Sequence, residues 1–315
     1  MSGGRAAVSV IFAALAFLAA LALAPGCRRD PRDLSIKKDE PRTERIIAAL
    51  ALLPADTRIV LSADLERLRG QPAWRTGFPA LAKHARPFFD AFAAGAGFDV
   101  PRQLRSLLIA LPGERQSDDR FVLIAETDAL DEARVTAWLR ARLGEKTTVL
   151  VRNKNQIVIG RGAWGKTMAG AGSAADNPEL KRLCTRAALE HDLWFAGVVP
   201  TPVRRALMQA PGFADVASVA RVWGFMNLDS GAHLEAVAEM SGKTDAVDLA
   251  HRLGVYLNQA KRHPDMLVRG LAPFLEALRL AANDASVHAT LDLSGPQLGE
   301  CIERIEALAH ASGTK

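Results

Sequence analysis

The chain has 315 residues, 49% of them hydrophobic, and carries 40 basic against 35 acidic side chains for a net charge of +5. This length and apolar content are sufficient for one large globular domain or two ordinary ones. Lysine and arginine are interspersed with acidic residues, which argues against a nucleic-acid partner, because nucleic-acid-binding proteins gather their basic residues on one face.

The N-terminus has the pattern of an export signal. Arg5 precedes a predominantly apolar run over residues 6–24, and Pro25-Gly26-Cys27 closes that run. A positive residue, an apolar stretch and a small-residue boundary are the parts of a signal peptide, which we predict over residues 1–26. Residues 23–27 resemble the bacterial lipobox, in which the cysteine becomes the acylated first residue of the mature protein. We therefore predict lipid attachment at Cys27, and a cell-envelope protein that faces the periplasm or the cell surface.

Two alternatives for the N-terminus stay open at this stage. Ordinary cleavage after Ala24 would release a soluble exported protein. The apolar run is also near the length of a membrane-spanning helix, so it could remain as an uncleaved anchor. The bulk of the chain is exported in all three cases.

The segment that follows predicts a flexible tether. Residues 27–42 are charged, punctuated by proline and poor in apolar side chains, which is typical of a linker that cannot bury a core. Beyond the tether we predict two modules, a first at residues 43–170 and a second at residues 171–315.

The first module predicts helices and strands in a mixed order. Asp131 is a suitable N-cap for one of its helices, and Gly144 is a suitable stop for the same helix. The polar run at residues 153–155 predicts a hairpin turn. The predicted helices fall near residues 43–53, 65–68, 78–94 and 132–143, and the predicted strands at residues 58–63, 107–111, 120–127, 147–152 and 156–160.

The second module repeats this order of elements. It has a strand at residues 193–199, a pair of strands around the turn at residues 229–231, a long helix capped by Thr244, a hairpin turning at Asn283-Asp284 and a closing helix. We predict an α+β fold built from two related modules, each an antiparallel sheet with helices packed on one face.

One stretch matches a phosphate-binding loop in full. Residues 160–167 read Gly-Arg-Gly-Ala-Trp-Gly-Lys-Thr and follow an apolar segment. In a true phosphate-binding loop the backbone amides wrap the phosphates at a helix N-terminus, after a buried parallel strand. Here the preceding segment, residues 156–160, has the pattern of a hairpin arm, and residues 168–173 are too rich in glycine to favour a helix. We interpret the match as an ordinary loop at the end of a hairpin.

The remaining reactive residue types are scattered. Cys184 and Cys301 each lie on an apolar helical face, which predicts two separate buried thiols, although a disulfide between them stays open. His233 and His288 are both predicted on outward strand faces. His233 shares its face with Glu235 and Glu239, a pattern that would allow at most a weak surface metal site. The seven histidines show no metal-ligand spacing, and we predict neither a cofactor nor catalytic residues.

Several short stretches together resemble a family of exported, often lipid-anchored proteins of Gram-negative bacteria that has no assigned activity. They include residues 53–57, 68–74, 177–180 and 193–200 and the C-terminal hairpin that ends at Asp292-Leu293-Ser294. The resemblance spans most of residues 53–300. It implies a duplicated α+β unit at the envelope.

The function that these patterns favour is a non-catalytic envelope lipoprotein. Its paired modules would offer a binding or interaction surface to an envelope protein or a small ligand, while the lipid on Cys27 contacts the membrane. The first alternative is an extracytoplasmic enzyme of unrecognised type, which would need a pocket with polar groups. The second is nucleotide binding through Gly160–Thr167.

Overall fold

The computed structural model describes residues 40–72, 74–75, 86–112, 120–128, 130–164, 172–188, 191–209, 217–264, 266 and 270–312. The predicted signal peptide, Cys27 and most of the predicted tether lie outside these residues. No helix in the described part of the chain combines the length and the apolar character needed to cross a membrane.

The described residues form helices and strands in a mixed order, and the predicted α+β class is confirmed. In chain order the helices are α1 Glu40–Ala51, α2 Leu65–Gly70, α3 Arg86–Ala96, α4 Val100–Gln103, α5 Glu132–Leu143, α6 Pro178–Ala188, α7 Thr201–Met208, α8 Lys243–Arg262, α9 Ala272–Ala277 and α10 Gly295–Ser312. The strands are β1 Ile59–Asp64, β2 Leu104–Leu111, β3 Phe121–Thr127, β4 Thr147–Arg152, β5 Gln156–Arg161, β6 Leu193–Val198, β7 Val219–Leu228, β8 Ala232–Met240, β9 Leu278–Asn283 and β10 Ser286–Leu293.

The first helix starts earlier than the sequence pattern indicated. Helix α1 begins at Glu40, so residues 40–42 are helical and do not belong to the tether. Pro41 lies in the first turn, where a missing backbone N–H removes no helical hydrogen bond. An acidic residue at a helix N-terminus is also favoured by the helix dipole.

The predicted cap at Thr244 is wrong. Helix α8 begins at Lys243 and Gly242 occupies its N-cap position, so Thr244 lies inside the first turn.

The signals for the turns and for the cap of helix α5 are confirmed. The Asp131 side chain accepts a hydrogen bond from the backbone N–H of Arg134, and Gly144 ends helix α5 with a φ of 76°. Asn153 has a φ of 51° in the turn between β4 and β5, and Asp284 has a φ of 48° in the turn between β9 and β10. Asparagine and aspartate tolerate this left-handed conformation better than other non-glycine residues.

The chain divides into two compact units. The six-stranded unit contains the described residues from 40 to 68 and from 86 to 198. The four-stranded unit contains residues 69–72 and 74–75 and the described residues from 199 to 312. The duplication of two related modules at residues 43–170 and 171–315 stays a prediction.

The six-stranded unit has the strand order β4-β5-β3-β2-β1-β6, and its neighbouring strands are antiparallel. Phe92 of α3 and Val135 of α5 pack with Ala125 of β3 on one face of the sheet. Val122 and Ile124, which point to the opposite face, are 0% and 3% exposed. Strand β3 is therefore buried on both faces of the sheet. The unbroken apolar run at residues 121–125 is typical of a strand that is buried on both sides.

The four-stranded unit has the strand order β7-β8-β10-β9, again with antiparallel neighbours. Helix α8 packs on one face of its sheet, where Leu249 meets Met240 and Val287. On the same face, Cys301 of α10 packs with Leu291 of β10 and with residues of α9. Helices α8, α9 and α10 therefore cover one face of this sheet, as predicted.

Candidate functional site

The face of the four-stranded sheet that points away from helices α8, α9 and α10 is mostly polar and aromatic, and it also contains the buried Val237. Successive side chains of a strand point to opposite faces, so the residues that alternate with the core-facing ones line this surface together. The strand register aligns them across β7, β8 and β10. We call this surface the polar sheet face, and its main members are Arg221, Trp223, Phe225, His233, Glu235, Glu239, Ser286, His288 and Asp292.

The Glu239 carboxylate accepts hydrogen bonds from two side chains of the neighbouring strand β7. Arg221 Nε donates to its Oε2 at 3.1 Å, and Trp223 Nε1 donates to its Oε1 at 3.1 Å. Trp223 is 4% exposed, so its indole N–H is satisfied inside the protein. We interpret this group as a structural tie between β7 and β8.

A second group lies at the more exposed end of the polar sheet face. His233 Nδ1 is 2.7 Å from Asp292 Oδ1, and the two side chains are 43% and 58% exposed. The ring of Phe225 lies beside that of His233, with their centroids 5.7 Å apart. An ion pair this exposed stabilises a fold by at most about 1 kcal/mol. The pair therefore contributes little to stability, and its two side chains are accessible to a molecule that approaches from solvent.

A third group joins a hydroxyl, an imidazole and a carboxylate in series. Ser286 Oγ is 3.0 Å from His288 Nε2, and His288 Nδ1 is 3.0 Å from Glu235 Oε1. The histidine and glutamate side chains are 23% and 24% exposed, so the group is sheltered but can be reached from solvent. Ser286 Oγ also lies 2.7 Å from the backbone oxygen of Asn283 at the hairpin turn.

Hydrogen-bond chemistry limits where the protons of this group can be. An ionised Glu235 can only accept, so His288 Nδ1 must carry a proton and donate it. A neutral His288 then has a bare Nε2 that accepts, and the Ser286 hydroxyl is the donor at 3.0 Å. If His288 gains a second proton, Nε2 donates to the serine oxygen, and the hydroxyl proton turns to Asn283. The protonation of His288 therefore decides where the Ser286 proton points.

The structure does not bring together the residues of the weak metal site considered from the sequence. Glu235 contacts His288, Glu239 contacts Arg221, and His233 contacts Asp292. Neighbours across strands lie closer to one another than residues two apart on one strand, which favours these cross-strand partners. Among the residues that the structure describes, no group of three or more His, Cys, Asp or Glu side chains could hold a metal ion.

The first part of the phosphate-loop match belongs to a sheet. Gly160 and Arg161 are the last residues of β5, which is antiparallel to both β3 and β4. Trp164 is 2% exposed and donates its Nε1–H to Asp56 Oδ2 at 3.0 Å. Residues 165–167, which include the lysine and the threonine of the motif, lie outside the described residues. The hairpin interpretation of residues 156–160 is confirmed.

Cys184 and Cys301 are both free and 0% exposed, as predicted for core residues. Burial raises the pKa of the Cys184 thiol to about 12. Burial, and secondarily the charge of Glu300, raise the pKa of the Cys301 thiol to about 12. A thiol that stays protonated and inaccessible is a poor nucleophile, so neither cysteine is a candidate for chemistry.

Sequence reasoning placed His233 and His288 on outward strand faces but did not pair His288 with Glu235. The two residues are far apart in the chain, and the register of β8 against β10 decides that they meet. One local signal was present: Ser286 and His288 are two residues apart on one strand, a spacing that puts both side chains on the same face.

No family model matches this sequence, and no curated protein matches it. Among solved structures, crystal form I of TP0453 is similar to this chain with a TM-score of 0.38 and 8% sequence identity. The match covers 82% of this chain and 96% of that chain. A similarity at this TM-score carries no argument about function. The family resemblance noted over residues 53–300 stays a prediction.

Proposed function

We propose that this protein is an envelope lipoprotein, anchored through Cys27, whose folded part is a binding module. The polar sheet face is the surface that meets an envelope protein or a small ligand. The lipid holds the protein at the membrane, and the charged segment before Glu40 separates the folded part from it.

One observation supports the polar sheet face as this surface. Its charged groups are already held by neighbours across the strands, in the pairs Arg221 with Glu239 and His288 with Glu235. The aromatic ring of Phe225 is half-buried beside them. A surface whose side chains are fixed before binding loses less conformational entropy when a partner docks.

The anchor is tested by metabolic labelling with palmitate in the native host. We expect label on the wild-type protein and on Cys184→Ala, since Cys184 is a core thiol, and no label on Cys27→Ser. We also expect Cys27→Ser to leave the membrane fraction. Label that persists in Cys27→Ser would overturn the anchor.

The surface is tested by photo-crosslinking in intact cells. A photoreactive amino acid at Phe225 is compared with one at Val247, which is 50% exposed on α8. We expect a discrete adduct at position 225 and none of the same mass at position 247. No adduct at position 225, or the same adducts at both positions, would contradict the polar sheet face as the binding surface.

A second candidate function, an extracytoplasmic enzyme, is favoured by one specific observation. This is the series of contacts from Ser286 through His288 to Glu235, at 3.0 Å for each contact. The distances are within the range that proton transfer between side chains requires.

A further inference from the structure

We infer that Ser286, His288 and Glu235 form a nucleophile, a general base and a positioning carboxylate, and that they can transfer the acyl group of a carboxylic ester to water. This activity goes beyond the binding role proposed above and does not depend on the lipid anchor.

The Ser286 hydroxyl lies within reach of a base. A serine hydroxyl is a weak nucleophile unless a base within about 2.6–3.2 Å removes its proton. His288 Nε2 lies 3.0 Å from Ser286 Oγ, within that range. Glu235 Oε1 lies 3.0 Å from the other ring nitrogen, so the carboxylate fixes the tautomer in which Nε2 is the accepting atom.

The fold places the three side chains on one face of the sheet. Ser286 and His288 are on β10, where a spacing of two residues places them on one face, and Glu235 is on the adjacent strand β8. Regular strands hold these side chains more firmly than a loop would. The partial exposure of His288 and Glu235 leaves room for a substrate to approach.

The reaction that this arrangement supports is a two-step acyl transfer. Ser286 Oγ bonds to the ester carbonyl carbon while its proton moves to His288 Nε2. The carbon–oxygen bond to the leaving alcohol then breaks, and the alcohol takes the proton from Nε2. In the second step water attacks the acyl-serine, gives a proton to Nε2, and releases the carboxylic acid as Ser286 regains its proton. Glu235 keeps its charge throughout and stabilises the imidazolium.

The contact with Asn283 gives the opposing structural interpretation, in which Ser286 only closes the hairpin turn. The two interpretations differ in their dependence on pH. As a nucleophile, Ser286 needs a bare His288 Nε2 to take its proton, so its reactivity should depend on pH. If Ser286 only closes the turn, its hydroxyl has no reactivity that depends on His288.

The test uses the full-length protein in detergent, a fluorophosphonate probe, and mass spectrometry to locate the adduct. We expect an adduct on Ser286 in the wild type, none at this site in Ser286→Ala, and labelling slowed by about 100-fold or more in His288→Gln. Glu235→Gln should slow labelling less and shift its pH profile. Ser106→Ala is the matched control, because Ser106 is a serine of another strand, β2, whose Oγ donates to Glu126 Oε2 at 2.9 Å. This variant should be labelled on Ser286 at the wild-type rate.

Three outcomes would overturn this inference. They are the absence of an adduct on Ser286 in the wild type, equal labelling rates in the wild type and His288→Gln, and a rate that does not change with pH. Circular dichroism shows whether each variant is folded. Because His288→Gln leaves the hairpin serine in place, it tests the inference even if Ser286→Ala unfolds. The palmitate and crosslinking experiments detect the anchor and the binding surface without this activity, so the two proposals can fail separately.

Discussion

The group around Glu239 allows a quantitative test of how the polar sheet face is built. Replacing Glu239 with alanine removes the acceptor of two hydrogen bonds, one from Trp223 and one from Arg221. Because Trp223 is 4% exposed, its indole N–H would be left in the protein without this acceptor, at a cost of about 1–3 kcal/mol. The Arg221 side chain is 28% exposed and can turn to water, so its loss adds no more than about 1 kcal/mol. We expect Glu239→Ala to lower the free energy of unfolding by about 1–4 kcal/mol.

A double-mutant cycle with Trp223→Phe isolates the part that depends on the indole. Phenylalanine has no N–H to satisfy, so Glu239→Ala should cost only about 1 kcal/mol in that background. The assay is urea unfolding followed by far-ultraviolet circular dichroism, which does not rely on the fluorescence of the altered tryptophan. If Glu239→Ala costs the same with and without the indole, within about 0.5 kcal/mol, the tie between these two residues does not stabilise the protein.

Three further predictions follow from the described residues. The free energy of unfolding should fall as the pH rises past 9, because the unfolded thiols of Cys184 and Cys301 lose their protons while the folded ones keep them up to about pH 12. Cys184→Ala should reduce this slope by about 0.7 kcal/mol per pH unit, averaged over urea titrations at pH 8–10, and an unchanged slope would contradict the assignment. Leu180→Ala should lower the free energy of unfolding by about 2–5 kcal/mol, since Leu180 is 0% exposed, whereas Leu150→Ala, at a position 38% exposed on β4, should cost much less. Equilibrium binding of Mg-ATP to the full-length protein should reveal no site that Lys166→Ala removes, and tight binding lost in that variant would restore the nucleotide hypothesis.

Short-range patterns predicted much of the fold. The hairpin turn at Asn153 and the cap at Asp131 depend on a few neighbouring residues, and both were found where the sequence placed them. Cys184 was predicted as a core residue from its position on an apolar helical face, and it is 0% exposed. These features are local, so a single sequence is sufficient to predict them.

Long-range contacts could not be predicted in this way. Gly95 lies in the last turn of helix α3, where glycine is less favourable than alanine, and nothing in the neighbouring sequence explains it. The structure gives the reason: a Cβ at Gly95 would overlap the indole of Trp138 on α5, which also stacks edge-on against Phe92 with ring centroids 4.5 Å apart. The glycine allows two helices to approach, and only their packing reveals this role.

The contact between His288 and Glu235 on the polar sheet face is another long-range contact that the sequence pattern could not predict. The period-2 pattern placed His288 and Glu235 on outward faces, but whether they meet depends on the register of β8 against β10, where Thr290 is paired with Glu235 and His288 with Val237. A shift of one residue would turn every side chain of β10 to the other face and put the imidazole into the core. The buried Val287 and Leu291 prevent that shift, because they would then have to face outward. The core side of the strand therefore fixes the position of the histidine, and the same apolar packing that folds the unit sets the 3.0 Å contacts on which the inferred reaction depends.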